Sequence, residues 1–190
     1  HRTKTATVYA GDKRSDDGGK TWIPLEHTIW AVDPHDNDTV YSLETTAPGG
    51  RLLKSSDQGA TWAAIGNEMY VGPSMVNRLE VDPFVKNRIY AATSTGLRIF
   101  EDGQWRKRAK DNGLSPDYFG QRYLETVVAH QGIPGLLFCG RRSPGKGVAN
   151  GLFYSLDQGE SWQPIDAGST LGRTNIWSVN VNPFNDEVFV

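Results

Sequence analysis

Two glutamates carry the strongest hint of chemistry in this chain. Aligning its recurrent Val-Asp/Asn-Pro phrases on their valines puts Ala31, Glu80, Val127 and Asn180 at matching positions. Two residues upstream, on the same face of a strand, come Ile29, Arg78, Glu125 and Ser178. Glu80 and Glu125 would form a general acid–base pair if adjacent repeats held them about 5–10 Å apart. Against this, Arg78 and Arg122 stand ready to neutralise them as solvated channel residues. A second candidate is the stretch from Arg106 to Tyr123. Its Tyr118, Phe119, Arg122 and Tyr123 mix aromatics with a cation, as sugar-stacking surfaces and protein hot spots do. The third is the basic hairpin Gly140–Gly147, where Arg141 and Arg142 suit an acidic ligand. His1, His27, His35 and His130 have no second histidine or cysteine at ligand spacing, so the sequence predicts no metal and no cofactor. Its glycines sit in hairpins rather than between a strand and a helix, which argues against a phosphate-cradling loop.

Any such site must be held by the elements around it, and these are set by one short phrase. It reads Ser15-Asp16-Asp17-Gly18-Gly19-Lys20-Thr21-Trp22, then Ser55-Ser56-Asp57-Gln58-Gly59-Ala60-Thr61-Trp62, then Ser155-Leu156-Asp157-Gln158-Gly159-Glu160-Ser161-Trp162. Asp and Ser bond nearby backbone N–H groups and hold a tight turn locally. Gly19, Gly59 and Gly159, two residues after each Asp, supply the positive φ that such turns use. The Thr or Ser and the Trp that follow suit a strand, and the indole is large enough to fill a gap between packed sheets. The three aspartates belong to separate repeats, so they form no catalytic pair and read as structural.

A worn fourth copy runs from Gly96 to Trp105 with its turn shortened, which makes the tryptophan spacings 40, 43 and 57 residues. Periods near 40–50 residues are those of propeller blades. The upstream phrases Val32-Asp33-Pro34, Val81-Asp82-Pro83, Val128-Ala129-His130 and Val181-Asn182-Pro183 are each followed by a β-branched or aromatic run. Four strands per unit and no helical periodicity predict an all-β propeller of four-stranded antiparallel blades. The expected organisation is a single propeller segment over 1–190. It comprises the end of one blade (1–25), blades at 26–65, 74–108 (with the degenerate box) and 122–166, and the first strands of another at 175–190. That is four blades' worth: either the two ends pair to close a small four-bladed ring or, the favoured reading, the segment is part of a larger ring. A second copy, a partner or further blades would complete it, since open edge strands seek pairing.

Composition narrows the partners. With 20 basic and 22 acidic residues the net charge is −2, which argues against nucleic acid or an anionic membrane as the main partner. No apolar run is long enough to span a bilayer. Cys139 is alone, so there is no internal disulfide, and its strand position predicts a small buried hydrophobe. Asn37-Asp38-Thr39 is a glycosylation triplet in a predicted exposed turn.

The pattern Ser-x-Asp-x-Gly-x-Thr/Ser-Trp resembles the Asp-box, or BNR repeat, of sialidases, sortilin-type receptor domains, xyloglucan-cleaving glycosidases and photosystem assembly factors. The resemblance covers most of the chain and implies a propeller whose boxes lie away from any active site. It does not carry over catalytic residues. The Arg-Ile-Pro of sialidases is matched only by Arg98-Ile99-Phe100, and the xyloglucanase Arg-Thr-Asp-x-Gly-Gly only in position, by Thr93-Ser94-Thr95-Gly96-Leu97, which has no carboxylate. The expected function is a non-catalytic propeller presenting loops to a glycan or protein. The alternatives are a glycoside hydrolase whose catalytic residues lie partly outside this segment, and a photosystem-type assembly factor. The resemblance also implies an extracellular, cell-surface or virion-associated setting.

Overall fold

The computed structural model describes residues 7–44, 49–70, 76–107, 113–114, 123–142, 151–165 and 174–190. Among these every regular element is a strand. The chain divides into two compact units, 1–69 and 70–190. In the first, β1 (Val8–Ala10), β2 (Lys13–Ser15) and β3 (Ile23–Pro24) form a three-stranded sheet. It is followed by the meander β4 (Ala31–Val32), β5 (Val40–Glu44), β6 (Gly49–Ser55) and β7 (Ala63–Tyr70). In the second unit one meander is β8 (Val76–Val81), β9 (Ile89–Thr93), β10 (Gly96–Glu101) and β11 (Gln104–Lys107). The next is β12 (Thr126–Ala129), β13 (Leu137–Arg141), β14 (Gly151–Ser155) and β15 (Gln163–Pro164), and the hairpin β16 (Asn180–Val181) and β17 (Val188–Phe189) follows. All described pairings are antiparallel between consecutive strands, the plan of a propeller blade.

The boxes close the hairpins by one repeated circuit. The hydroxyl of Ser15, Ser55 or Ser155 donates to Oδ1 of the box aspartate at 2.7–2.8 Å. The same oxygen accepts the N–H of Gly19, Gly59 or Gly159 at 2.7–2.8 Å. The aspartate in turn accepts the backbone N–H and the hydroxyl of Thr21, Thr61 or Ser161. The glycines take φ of +93, +92 and +86°, and the residues before them, Gly18, Gln58 and Gln158, are left-handed too. That second left-handed position has no glycine requirement in the motif; at Gln58 and Gln158 it is fixed by backbone bonds to the carbonyls of Asp38 and Gly135. The worn box is a two-residue turn in which Asp102 and Gly103 both have positive φ, the geometry of a tight hairpin.

These bonds also fix the protonation of the box acids. The Thr21 N–H, with the Thr21 and Ser15 hydroxyls, holds the Asp17 carboxyl down at about 2. The hydroxyls of Thr61 and Ser55 do the same for Asp57. At Asp157, burial pushes upward but the Ser161 hydroxyl and N–H outweigh it. Each of these carboxylates is thereby held toward its ionised, hydrogen-bond-accepting form. Because Ser155 is 1% exposed and its oxygen is the partner of the Gly159 N–H, Ser155→Ala strands a buried donor. The expected loss is about 1–3 kcal/mol, read from the urea midpoint.

The core of the second unit lies between its two four-stranded sheets. Tyr90, Ala92, Leu97 and Ile99 meet Leu124, Val127, Leu137, Cys139, Phe153 and Trp162 there. Trp162 fills the gap as expected, at 3% exposure, but Trp22 in the first box is 41% exposed. Ile176 and Val179 pack on Val128, Phe138 and Leu152, which fastens the segment before β16 to the β12–β15 sheet.

Candidate functional site

The upstream phrase proves to be a side-chain lock of its own. Asp33 Oδ1 accepts the N–H of His35 while its Oδ2 accepts the Tyr41 hydroxyl at 2.9 Å. Asp82 likewise accepts the N–H groups of Phe84 and Val85 and the Tyr90 hydroxyl at 2.6 Å. In the β12–β13 turn the same place is taken by His130, whose Nδ1 accepts the N–H of Gly132 and of Ile133, each at 3.0 Å. His130 Nε2 then carries the proton, 3.3 Å from Asp186 Oδ1. The backbone agrees, since Asp33, Asp82, His130 and Asn182 each donate to the strand returning from the turn.

This equivalence corrects the alignment of the glutamates. Glu80 lies opposite Tyr90, and its counterparts are Ala31 opposite Tyr41, Val128 opposite Phe138 and Asn180 opposite Phe189. Val127 is therefore one residue out, and Glu125 matches Asn77 rather than Arg78. The two carboxylates do not occupy equivalent places. Glu80 is largely buried on β8; its Oε1 accepts the Ala129 N–H at 3.3 Å and its Oε2 lies 3.5 Å from Arg78. Burial pushes its carboxyl up to about 7, with the Arg78 charge and the Ala129 N–H pulling the other way. Glu125, just before β12, pairs with Arg142 at 2.5 Å. Tyr118 and Arg122 lie outside the described residues.

The Arg141–Arg142 pair splits. Arg141 is 1% exposed; its Nε donates to the Tyr123 carbonyl and its guanidinium sits 5.7 Å from the Phe153 ring centroid. At the end of β13 it is enclosed by Tyr123 and Phe153 and packs within the blade. Arg142 lies past the strand end and turns outward. Its guanidinium is 5.4 Å from the Tyr123 ring and 4.7 Å from the Trp177 ring, with Glu125 on its Nε. Trp177 is 63% exposed. What brings it there is Gly140: a Cβ at that position would meet Ile176 Cγ2 at 2.5 Å and Thr126 Cγ2 at 2.9 Å. The bare backbone admits Ile176, whose N–H bonds the Arg141 carbonyl at 3.1 Å, and the next residue lands on Arg142. Tyr123, Glu125, Arg142 and Trp177 thus form one aromatic and charged cluster. Trp177 has a signal in the sequence: boxes claim Trp22, Trp62, Trp105 and Trp162, which leaves Trp30 and Trp177 without a box role.

A family model described as BNR/Asp-box repeat matches residues 153–164. The chain is 27% identical to the oligoxyloglucan-reducing end-specific xyloglucanase of Emericella nidulans over 87% of its own length, and spans 23% of that relative. Its fold matches the crystal structure of the GH74 xyloglucanase from Xanthomonas campestris with a TM-score of 0.62 at 23% identity, over 90% of this chain and 30% of that one. The chain carries Asp-box repeats on a β-propeller fold. A structure of YCF48 bound to a D1 peptide matches this propeller's fold at a TM-score of 0.53 and 14% identity, over 95% of this chain and 48% of that one. Among the described residues no helix is long and apolar enough to cross a membrane, and no cluster of three metal-ligating side chains occurs.

Proposed function

We propose that this chain is a glycan-binding stretch of a propeller, with a xyloglucan-type polysaccharide as its ligand. The observation that carries the reading is Trp177, held exposed beside Arg142 with Tyr123 on the guanidinium's other contact. A large aromatic kept in solvent by a built support offers a flat apolar surface to the C–H face of a pyranose ring, and the neighbouring polar groups orient it. The xyloglucanase among the relatives names the polymer. Such a ligand implies an extracellular setting.

A second reading has this stretch within a hydrolase that also cleaves the polymer, as the relatives' names suggest. Glu80, titrating near neutrality, is then the residue fitted to proton transfer. A third is a protein-binding propeller of the assembly-factor type, for which Trp, Tyr and Arg are the usual anchors. Calorimetric titration with xyloglucan oligosaccharides separates the three. Binding without release of reducing ends, weakened at least tenfold by Trp177→Ala, is the expected result. Release of reducing ends would favour the hydrolase. No binding by the folded chain would overturn the glycan reading and leave the protein partner.

A further inference from the structure

We infer that Glu125 sets the charge selectivity of the Tyr123–Arg142–Trp177 cluster, admitting neutral sugars and turning away acidic ones. This rests on the glycan-binding reading of the same cluster. Exposed arginine beside exposed aromatics is ordinarily an invitation to carboxylates, sulfates and phosphates, which take a guanidinium edge through paired hydrogen bonds. Here that invitation is withdrawn before a ligand arrives. Glu125 Oε1 accepts the Arg142 Nε–H at 2.5 Å, and the glutamate side chain is 11% exposed against 38% for the arginine. The carboxylate therefore sits behind the guanidinium, and the cation faces solvent with its charge compensated from within.

An acidic sugar reaching Arg142 has two routes, and both are unfavourable. If Glu125 stays paired, the incoming anion feels a near-neutral ion pair and the repulsion of a second carboxylate. If it displaces Glu125, a largely buried carboxylate is left without its partner. A neutral pyranose meets neither difficulty, because it uses the Trp177 ring and the hydroxyl-directed donors of Arg142. The Nη2 contact to the Tyr123 hydroxyl is long, at 3.5 Å, so the outer guanidinium N–H groups remain available to sugar oxygens. Arg141 does not compete for the ligand, since it is buried against Phe153.

The test is Glu125→Gln, whose amide oxygen still accepts the Arg142 Nε–H while removing the charge. Dissociation constants are measured for a neutral xyloglucan oligosaccharide and for oligogalacturonate, at low salt and at 0.5 M salt. The expected result is a shift of at least tenfold in the ratio of the two affinities toward oligogalacturonate, lost at high salt as screening removes the freed charge. A structural role for Glu125 would weaken both ligands together and give no salt-sensitive gain. An unchanged ratio in a folded variant overturns the inference, as does a wild-type chain that binds the acidic oligosaccharide as tightly as the neutral one. If the wild type binds no neutral glycan, the glycan reading fails by itself. Oligogalacturonate binding gained on Glu125→Gln would still support the charge gate, and no gain would overturn it. Should Glu125→Gln fail to fold, Glu125→Ala read against oligogalacturonate alone gives the same two outcomes.

Discussion

Replacing Trp162 by alanine is expected to lower stability by about 3–5 kcal/mol, while the same change at Trp22 costs under about 2 kcal/mol. The two residues close copies of one motif, and the difference lies in what stands opposite. Trp162 is 3% exposed and packs with Leu97, Leu124, Leu137 and Phe153 between two sheets of the second unit. Its ring also lies on Gly159, where an added Cβ would meet Trp162 Cζ2 at 3.4 Å and Leu97 Cδ2 at 2.3 Å. Removing the indole opens a cavity that two hydrogen-bonded sheets cannot collapse to fill. Trp22 covers Gly19 in the same manner, but 41% of it already faces solvent. Chemical denaturation of both variants checks this. Equal losses would mean that the tryptophan acts only within its own hairpin and that sheet-on-sheet packing contributes little.

The contrast marks where the sequence is legible. The box announces its own hydrogen bonds because Ser, Asp, Gly and Thr satisfy one another within seven residues; nothing distant is needed. How deeply its tryptophan is buried depends on the neighbouring sheet, which the motif does not contain. The upstream phrase is legible by what its side chains bond rather than by its letters. Asp33, Asp82 and Asn182 cap their turns through a side-chain oxygen, and His130 does the same through Nδ1. Matching letters found Val128 in the valine's place, whereas matching function puts Ala129 there, and a one-residue slip in a strand misplaces every side chain upstream. That slip matches Glu125 to Arg78, on the strand face of Glu80, whereas the register matches it to Asn77. The same limit hid Arg141, since a basic hairpin reads as exposed until Tyr123 and Phe153 are seen to enclose its first arginine. Trp177 was visible only as a tryptophan without a box. Its support is the approach of the adjacent Ile176 to Gly140 on β13, set by the backbone rather than by pattern.

Glu80 gives the other large expected effect, and it depends on pH. The carboxyl titrates at about 7 in the folded chain against 4.5 in its ordinary state, because burial on β8 disfavours the charge more than Arg78 and the Ala129 N–H favour it. A group whose folded value is raised lends stability that is complete below about 4.5 and is lost as pH rises through about 7. Above that point the fold holds a desolvated carboxylate that the unfolded chain would release to water. Glu80→Gln keeps an oxygen for the Ala129 N–H and carries no charge. The variant should therefore match the wild type near pH 4.5 and exceed it by on the order of 2 kcal/mol at pH 8, a gap that opens between those values. Urea denaturation of both proteins across pH 4.5–8 reads the difference directly, and comparing the two cancels the other titrating groups. A gap that stays constant with pH would mean that Glu80 is solvated enough to ionise without penalty. A gap of opposite sign would mean that Arg78 holds the glutamate as a true ion pair, and the residue would then lose its fitness for proton transfer near neutrality.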